Sequence, residues 1–201
     1  SDNTASVINV ALDTAKSSLE GVSYMTEGNG QINMWLQNGA SWTNEVHGSA
    51  EKDWKGNSVF NGSKVTSLAG GVKADAAGNI FQKDSNALTI DNYSGNMNIF
   101  YDHAGDGVTY NAGDTIIKHA EKGSVVNLIT SNKGLTLNAE TINDTLNALA
   151  GKLTYTNYKD GERNLDGKVK ISGGLTSDSL TVAMGDILFG SSNGKGYEAA
   201  N

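Results

Sequence analysis

The chain has 201 residues, with 22 acidic side chains, 15 basic side chains and a net charge of −7 at neutral pH. This charge balance argues against nonspecific binding of nucleic acid, which needs a positively charged surface. Cysteine is absent, which excludes disulfides and thiolate metal sites, and no apolar run approaches the roughly 18 residues that a membrane-spanning helix needs.

The composition also favours β-structure over helix. Proline, which removes a hydrogen-bond donor from a sheet, does not occur, whereas the chain has 25 glycines. Glycine and asparagine tolerate the positive φ angles of tight corners. Charged residues make up 18% of the chain, less than is usual, and helical surfaces normally carry more. These features are typical of short strands joined by many corners.

The N-terminal part of the chain predicts short strands. Residues 6–14 are rich in β-branched apolar residues and predict a strand, although a helix over residues 11–19 is the alternative. Residues 19–25 predict a second short strand. The tryptophans Trp35 and Trp42 follow in the next β-runs, and we expect both to pack against the protein more readily than to bind a ligand.

Residues 31–36 predict a strand with two different faces. Ile32, Met34 and Leu36 alternate along one face, and Trp35 lies on the other. This alternation is typical of a strand that is buried on one side.

Residues 43–57 interrupt the pattern of strands. The segment is polar and has no clean periodicity, so it is predicted to be a loop extruded from the scaffold. Loops on a rigid scaffold commonly carry binding residues. The predicted ligand-binding residues are Trp54, His47, Lys52 and Lys55.

A strand, a glycine corner and a second strand recur further along the chain. The pattern occupies residues 88–101, with Gly95 at the corner, and returns at residues 115–128, with Gly123 at the corner. A shorter version occupies residues 180–189. Repeats at such spacing indicate stacked coils, of which this chain would hold roughly eight or nine at about 20–25 residues each. At about 4.8 Å per coil the stack would be roughly 40 Å long.

Four further segments lie around these copies. Residues 102–114 predict a corner, a strand and a corner, and residues 134–137 predict one more strand. Residues 152–158 and 168–171 are predicted strands after the helix described next.

One helix is predicted, near residues 139–150. Ile142, Leu146 and Leu149 fall at helical spacing, and Asn138 can cap the first turn. We expect this helix to lie on the side of the stack and to cover apolar surface.

Three segments of the chain resemble the passenger domains of Gram-negative autotransporters, which use type V secretion. They read QINMWLQNGASWTNE, LTIDNYSGNMNIFYD and GDTIIKHAEKGSVVNL. The later stretch LNALAGKLTYTNYKDGERNLDGKVKISGGLTSDSLTV is similar to a recurring segment of large adhesin-type autotransporters. The resemblance implies an all-β fold, a right-handed parallel β-helix, or solenoid. It also implies export across the outer membrane and display on the cell surface, with this chain as a passenger segment of a longer protein.

The sequence offers no catalytic, metal-binding or cofactor-binding signature. There is no phosphate-binding loop and no EF-hand spacing. The acids at Asp160, Glu162 and Asp166 are expected to form an ordinary turn rather than a Ca²⁺ loop, and His103 is expected to be a solvated corner residue. We therefore predict that the protein is not an enzyme and that it uses no metal and no cofactor.

The predicted function is adhesion by a single β-helix segment that covers residues 1–201. Its expected partners are proteins or glycans of host or bacterial surfaces, and self-association is a further possibility, whereas nucleic acid binding and membrane insertion are not expected. Two alternatives remain open at this point. One is a structural spacer or export-folding segment of a larger passenger, and the other is a carbohydrate-active β-helix enzyme.

Overall fold

The computed structural model of this chain consists mainly of parallel β-strands arranged in two large sheets, and a third sheet is a two-stranded antiparallel pair. It describes residues 5–25, 29–47, 55, 60–121, 123–136, 138–155, 158–159, 162–163, 170–176, 181–183, 187–189 and 197–199. In chain order the strands are β1 (Val7–Leu12), β2 (Ser18–Glu20), β3 (Gln31–Leu36), β4 (Ser41–Asn44), β5 (Ser63–Ala69), β6 (Gly78–Gln82), β7 (Leu88–Ser94), β8 (Asn96–Tyr101), β9 (Thr115–Ala120), β10 (Val125–Ser131), β11 (Leu153–Tyr155), β12 (Tyr158–Lys159), β13 (Glu162–Arg163), β14 (Lys170–Thr176), β15 (Thr181–Ala183), β16 (Ile187–Phe189) and β17 (Tyr197–Ala199). A helix, α1 (Ala139–Ala150), and a 3-10 turn, Ala74–Ala76, complete the described elements.

Strands that follow each other along the chain up to β10 lie in different sheets. The first sheet has the order β1-β3-β5-β7-β9-β11, and the second runs β2-β4-β6-β8-β10-β14 before it ends with β16 and β17. We call the chain from one strand of the first sheet to the next strand of that sheet a passage. Asn33 bonds to Asn9, 24 positions earlier, and Asn92 bonds to Thr66, 26 positions earlier, so these two passages span about 24 and 26 residues. The predicted strand–corner–strand repeat is therefore confirmed for β7 to β10.

Within the described residues the first sheet contains six strands, whereas the spacing predicted eight or nine coils for the whole chain. The passages are not uniform in length. Ser67 of β5 bonds to Asn33 of β3, 34 positions earlier, because the segment after β4 lengthens this passage. The helix α1 and its flanking residues lengthen the passage between β9 and β11 in the same way.

Inward-facing residues of the two sheets form one apolar core. Burial alternates along β3, β6 and β10, as a strand with one covered face requires. The fully buried side chains include Leu36, Trp42, Leu68, Ile80, Ile90, Ile99, Ile117 and Leu128. The prediction that Trp42 packs is confirmed, because its side chain is 0% exposed and its Nε1 donates to the Gly21 carbonyl at 2.8 Å.

A chain of buried polar side chains joins the two sheets at one edge of this core. Ser63 Oγ donates to Asn44 Oδ1 at 2.6 Å, and Asn44 Nδ2 donates to Gln82 Oε1 at 2.7 Å. Gln82 Nε2 then donates to Thr115 Oγ1 at 3.0 Å, and the Tyr101 hydroxyl lies 2.8 Å from the same oxygen. Burial raises the pKa of Tyr101, so its hydroxyl stays protonated. Each polar group thus has a partner, as the low polarity of a core demands.

The boundary of the predicted loop at residues 43–57 differs in the structure. Strand β4 continues through Thr43 and Asn44, because the Asn44 side chain is needed in the buried polar chain and Thr43 pairs with Phe81 of β6. The prediction was wrong for these two residues. Within residues 48–57 the structure describes Lys55 alone.

The predicted helix is confirmed as α1, with the bounds expected from the sequence. Asn138 Oδ1 accepts from the Thr141 backbone N–H at 3.0 Å and caps the first turn. Leu149 is fully buried, whereas Ile142 and Leu146 are half-buried. The helix contacts β10 and β14. In the described part of the chain, no helix is both long and apolar enough to cross a membrane.

The C-terminal strands do not extend the parallel stack. The pattern at residues 180–189 predicted another coil, but β15 pairs antiparallel with β14, and β16 pairs antiparallel with β14 and with β17. The reason is the short connection between β14 and β15. A parallel pair needs a crossover of about a dozen residues or more, whereas an antiparallel pair can be joined by a short turn.

Two predicted strands are absent among the described residues of segments 102–114 and 134–137. Residues 134–136 form turn and irregular backbone, and Gly134 has a φ of 77°. Segment 102–114 has only an isolated bridge between His103 and Tyr110. Local side chain to backbone hydrogen bonds provide the alternative to a sheet ladder here.

His103 organises this loop and is not a solvated corner residue as predicted. Its Nδ1 accepts from the backbone N–H groups of Gly105 and Gly107 at 2.9 and 3.1 Å, so Nδ1 carries no proton. The proton lies on Nε2, which donates to the Ser131 carbonyl at 2.9 Å. One imidazole therefore fixes the loop internally and ties it to the end of β10.

Asp106 closes the tip of the same loop. Its carboxylate accepts from the Thr109 hydroxyl at 2.6 Å, from the Thr109 amide at 2.8 Å and from the Val108 amide at 2.9 Å. These hydrogen bonds favour the charged form and lower the pKa of Asp106 from 3.8 to about 2. Because the folded pKa is depressed, the carboxylate stabilises the loop at neutral pH, and this contribution is lost as the pH falls from about 4 towards 2.

We expect the Asp106 carboxyl carbon to titrate with a midpoint near pH 2 in an NMR titration. The variant Thr109→Val removes the hydroxyl, which is the largest cause of the depressed pKa, and should move the midpoint towards 3.8. A midpoint near 3.8 in the parent protein, or an unchanged midpoint in the variant, would contradict this account of the loop.

Candidate functional site

The structure describes two of the four predicted ligand-binding residues. His47 is exposed, and its Nε2 lies 4.0 Å from Glu45 Oε2. Lys55 is also exposed. Lys52 and Trp54 lie outside the described residues, so the binding site predicted for residues 43–57 stays a prediction.

Trp35 presents its indole on the outer face of the first sheet. The strand alternation predicted this direction correctly, but the expectation that the side chain packs was wrong, since it is 44% exposed. The register explains why. The neighbours of Trp35 are Ala11 on β1 and Ala69 on β5, and their methyl groups are too small to cover an indole.

A groove of about 230 Å³ lies beside this indole. It is lined by Trp35, Ala69 and Ser94 along one row of the sheet, and by Ser67 and Asn92 along the row next to it. We call this feature the Trp35 groove. Pockets for drug-sized ligands measure roughly 300–1,000 Å³, so the Trp35 groove has room for a single ring-sized group.

The polar row of the groove belongs to a ladder of amide and hydroxyl side chains. Asn33 Nδ2 donates to Asn9 Oδ1 at 3.0 Å, and Ser67 Oγ donates to Asn33 Oδ1 at 2.7 Å. Asn92 Nδ2 donates to the Thr66 carbonyl at 3.1 Å. These bonds hold the side chains in fixed orientations. The Asn92 amide oxygen is an acceptor on an exposed residue that remains able to bind a ligand hydroxyl.

The floor of the groove is rigid because Tyr93 anchors it to the second sheet. Tyr93 is 1% exposed, and its hydroxyl is directed at the carbonyls of Val125 and, at 3.1 Å, Gly95. Burial raises the pKa of Tyr93, so the hydroxyl remains a donor. The backbone beneath the groove is thereby held by both sheets.

The groove has one negative side chain at its lining, and the positive side chains nearby on the same face are paired with a carboxylate. Glu121 lines it and is well exposed, with Oε1 3.7 Å from the Nε2 of the buried His119. On the same face, Lys64 and Lys118 lie 3.8 and 3.5 Å from the carboxylate of Asp91. The lysines of these strands are therefore engaged with Asp91, and the groove does not favour an anionic ligand.

The second sheet carries another ordered outer face. Asn98 Nδ2 donates to Asn79 Oδ1 at 3.0 Å, and Asn127 Nδ2 donates to Asn98 Oδ1 at 2.9 Å. Beside this ladder, Phe81 and Phe100 stack with ring centroids 4.7 Å apart. Both phenylalanines are half-buried.

The described residues contain no group of three or more His, Asp or Glu side chains placed to hold a metal ion. Both ring nitrogens of His103 are engaged with the backbone. Among the described hydrogen bonds, the Nδ1 of His119 has no partner. His119 follows Asn92 in the register of the first sheet, so it lies one strand away from the groove.

The Trp35 groove could not be found from the order of residues alone. The only local signal for the groove in the sequence is that Trp35 lies on the polar face of an amphipathic strand. Its exposure depends on Ala11 and Ala69, and the register that places them beside Trp35 pairs residues distant in the chain.

Comparison with known proteins does not identify the chain. No family model, no curated protein and no solved structure matches it. The sheets and the groove are therefore the features of the molecule that bear on its function.

Proposed function

We propose that this chain is a right-handed parallel β-helix that acts as an adhesive segment displayed on the surface of a Gram-negative bacterium after autotransporter-type export. A general rule for parallel connections supports the right-handed choice. Successive strands of the first sheet are parallel, and a crossover between parallel strands of one sheet is right-handed in about 98% of known cases.

The observation that carries the binding proposal is the Trp35 groove. An exposed indole held beside fixed amide and hydroxyl groups is typical of a surface that recognises a ligand, because such sites combine an apolar platform with a few oriented polar groups. Repetition along a surface-displayed stack would strengthen weak contacts through avidity. The partner would be a glycan or a protein on a host or bacterial surface.

Two features favour binding over the alternative of glycoside cleavage. Glycosidases use a pair of carboxyl groups about 5–10 Å apart, one on each side of the bond that is broken. The lining of the groove contributes one carboxylate, Glu121. The amides beside it are ligands for hydroxyl groups and do not act as acids or bases near neutral pH.

The spacer alternative is supported by the regular ladders on both outer faces. Such ladders stabilise a stack whether or not it binds anything.

Self-association is a further kind of binding that the edge strands β1 and β2 favour. Ile8 of β1 is 55% exposed although its partner Ile32 is buried, and edges of this kind can pair with another chain.

We expect saturable binding when the intact chain is applied to an array of glycans and extracellular matrix proteins. A second protein, in which a short Gly-Ser linker replaces residues 48–57, tests the predicted loop site. This replacement spares β4, which the buried side chain of Asn44 requires. Binding lost on replacement would place the contact in the loop, and retained binding would place it elsewhere on the chain. Absence of binding at high micromolar concentration would contradict the adhesive function and favour the spacer.

A further inference from the structure

We propose that the Trp35 groove binds one pyranose ring of a neutral saccharide. This inference rests on the proposed adhesive function and names the chemical class of ligand that the groove would take. It also moves the expected contact from the loop at residues 43–57 to the outer face of the first sheet.

The indole of Trp35 provides the platform for the sugar. The face of an aromatic ring carries a partial negative charge, which attracts the weakly positive C–H groups on one face of a pyranose. Ala11 and Ala69 leave the space beside the indole open, and the volume of about 230 Å³ fits one ring rather than an extended ligand.

The neighbouring row of the sheet provides hydrogen bonds at the rim of that ring. Asn92 is exposed with its Nδ2 held by the Thr66 carbonyl, which leaves Oδ1 to accept from a sugar hydroxyl. Ser67, whose hydroxyl proton is donated to Asn33, can accept from a sugar hydroxyl, and Ser94 adds a hydroxyl group that can donate or accept. Because the amide ladder fixes Ser67 in advance, little side-chain entropy is lost on binding.

The same surroundings disfavour other ligand classes. Glu121 at the rim repels carboxylates, sulfates and phosphates, and nearby Lys64 and Lys118 lie close to Asp91. A peptide that binds by adding a strand needs a free sheet edge, but β5 and β7 pair with strands on both sides. A neutral ring with several hydroxyl groups satisfies the indole and the amides together.

The test is a printed array of neutral oligosaccharides that end in glucose, galactose, mannose or N-acetylglucosamine, with sulfated and sialylated glycans beside them. Titration calorimetry then measures the dissociation constant of the strongest neutral glycan for the parent and for three variants. Trp35→Ala should weaken binding by about tenfold or more, because the contact between the indole and the sugar is lost. Such an aromatic contact contributes about 1.4 kcal/mol, which corresponds to a tenfold change in the dissociation constant. Trp35→Tyr should retain most of the affinity.

Trp54→Ala is the matched control, since it removes a tryptophan from the competing site predicted in the loop. It should leave the affinity unchanged. Thermal unfolding is measured for each variant and verifies that all of them, including Trp35→Ala, remain folded. The indole N–H resonance of Trp35, assigned in an NMR spectrum, should shift when the glycan is added.

The other outcomes separate this inference from the proposed function. Neutral glycan binding that survives Trp35→Ala, or that Trp54→Ala abolishes, would overturn the groove as the site while leaving the adhesive function. Preference for acidic glycans, or binding only to matrix proteins, would overturn the ligand class. Absence of binding to every glycan and every protein would overturn both proposals.

Discussion

Replacing Gly70 by alanine should lower the free energy of unfolding by about 3 kcal/mol or more, because the new methyl group has no space. Gly70 lies directly after β5, and a Cβ there would overlap the backbone carbonyl of Asn96. The corner has no freedom to move away. Gly70 N donates to the Ser94 carbonyl at 2.8 Å, and Asn96 N donates to the Gly71 carbonyl at 2.7 Å. The measurement is urea unfolding followed by circular dichroism.

Gly30→Ala is the matched control for this prediction. Gly30 also lies in a corner, just before β3, but a Cβ there would approach nothing closer than the Ser6 carbonyl oxygen at 3.8 Å. The free energy of unfolding of this variant should change little or rise slightly. Alanine lowers the conformational entropy of the unfolded chain, which stabilises the folded state by about 0.4–1 kcal/mol. Equal losses in both variants would contradict the idea that stacked corners require the absence of a side chain at Gly70.

Replacing Asn44 by leucine should lower the free energy of unfolding by roughly 2–5 kcal/mol, because it breaks two buried hydrogen bonds and leaves a buried acceptor and a buried hydroxyl proton unpaired. Gln82 Oε1 loses its donor, and the Ser63 hydroxyl loses its acceptor. Water cannot replace the amide readily, since Asn44, Gln82 and Ser63 are each no more than 2% exposed. Urea unfolding measures the loss.

The same substitution on the outer face of the same sheet provides the control. Asn98→Leu also removes an amide that is bonded on both sides, to Asn79 and Asn127. Asn98 is half-buried, so water reaches its partners, and we expect a cost below about 1 kcal/mol. If the two substitutions cost the same, the buried polar chain does not hold the sheets together in the way described here.

Local patterns predicted most of the individual elements. Alternation identified β3, and repeated apolar runs identified β7 to β10, because one face of each strand is buried. The capping side chain of Asn138 identified the start of α1. The corner at Asn38 and Gly39 follows from the same local preferences, since both residues have positive φ angles, 55° and 81°, that these residue types tolerate.

Predictions failed where a side chain outside the local segment decided the conformation. Thr43 and Asn44 read as polar loop residues, but Asn44 extends β4 because Gln82 and Ser63 lie ready to bond it. His103 read as a solvated residue, although its ring holds two backbone amides and the Ser131 carbonyl. The partners of Asn44 and the Ser131 carbonyl cannot be recognised until the strands are in register, whereas the two amides bound by His103 lie within four residues of it.

The sequence by itself determined that the chain forms short strands, tight corners and one capped helix, because these depend on backbone preferences and on burial patterns within a few residues. The tertiary structure alone decided which strands become neighbours, and through that the candidate site. Trp35 is exposed because alanines stand at its position on both adjacent strands, and the amides beside it are fixed because Asn9, Asn33 and Ser67 fall in one row. Such rows join residues far apart in the chain, and the order of residues contains no local signal for their register.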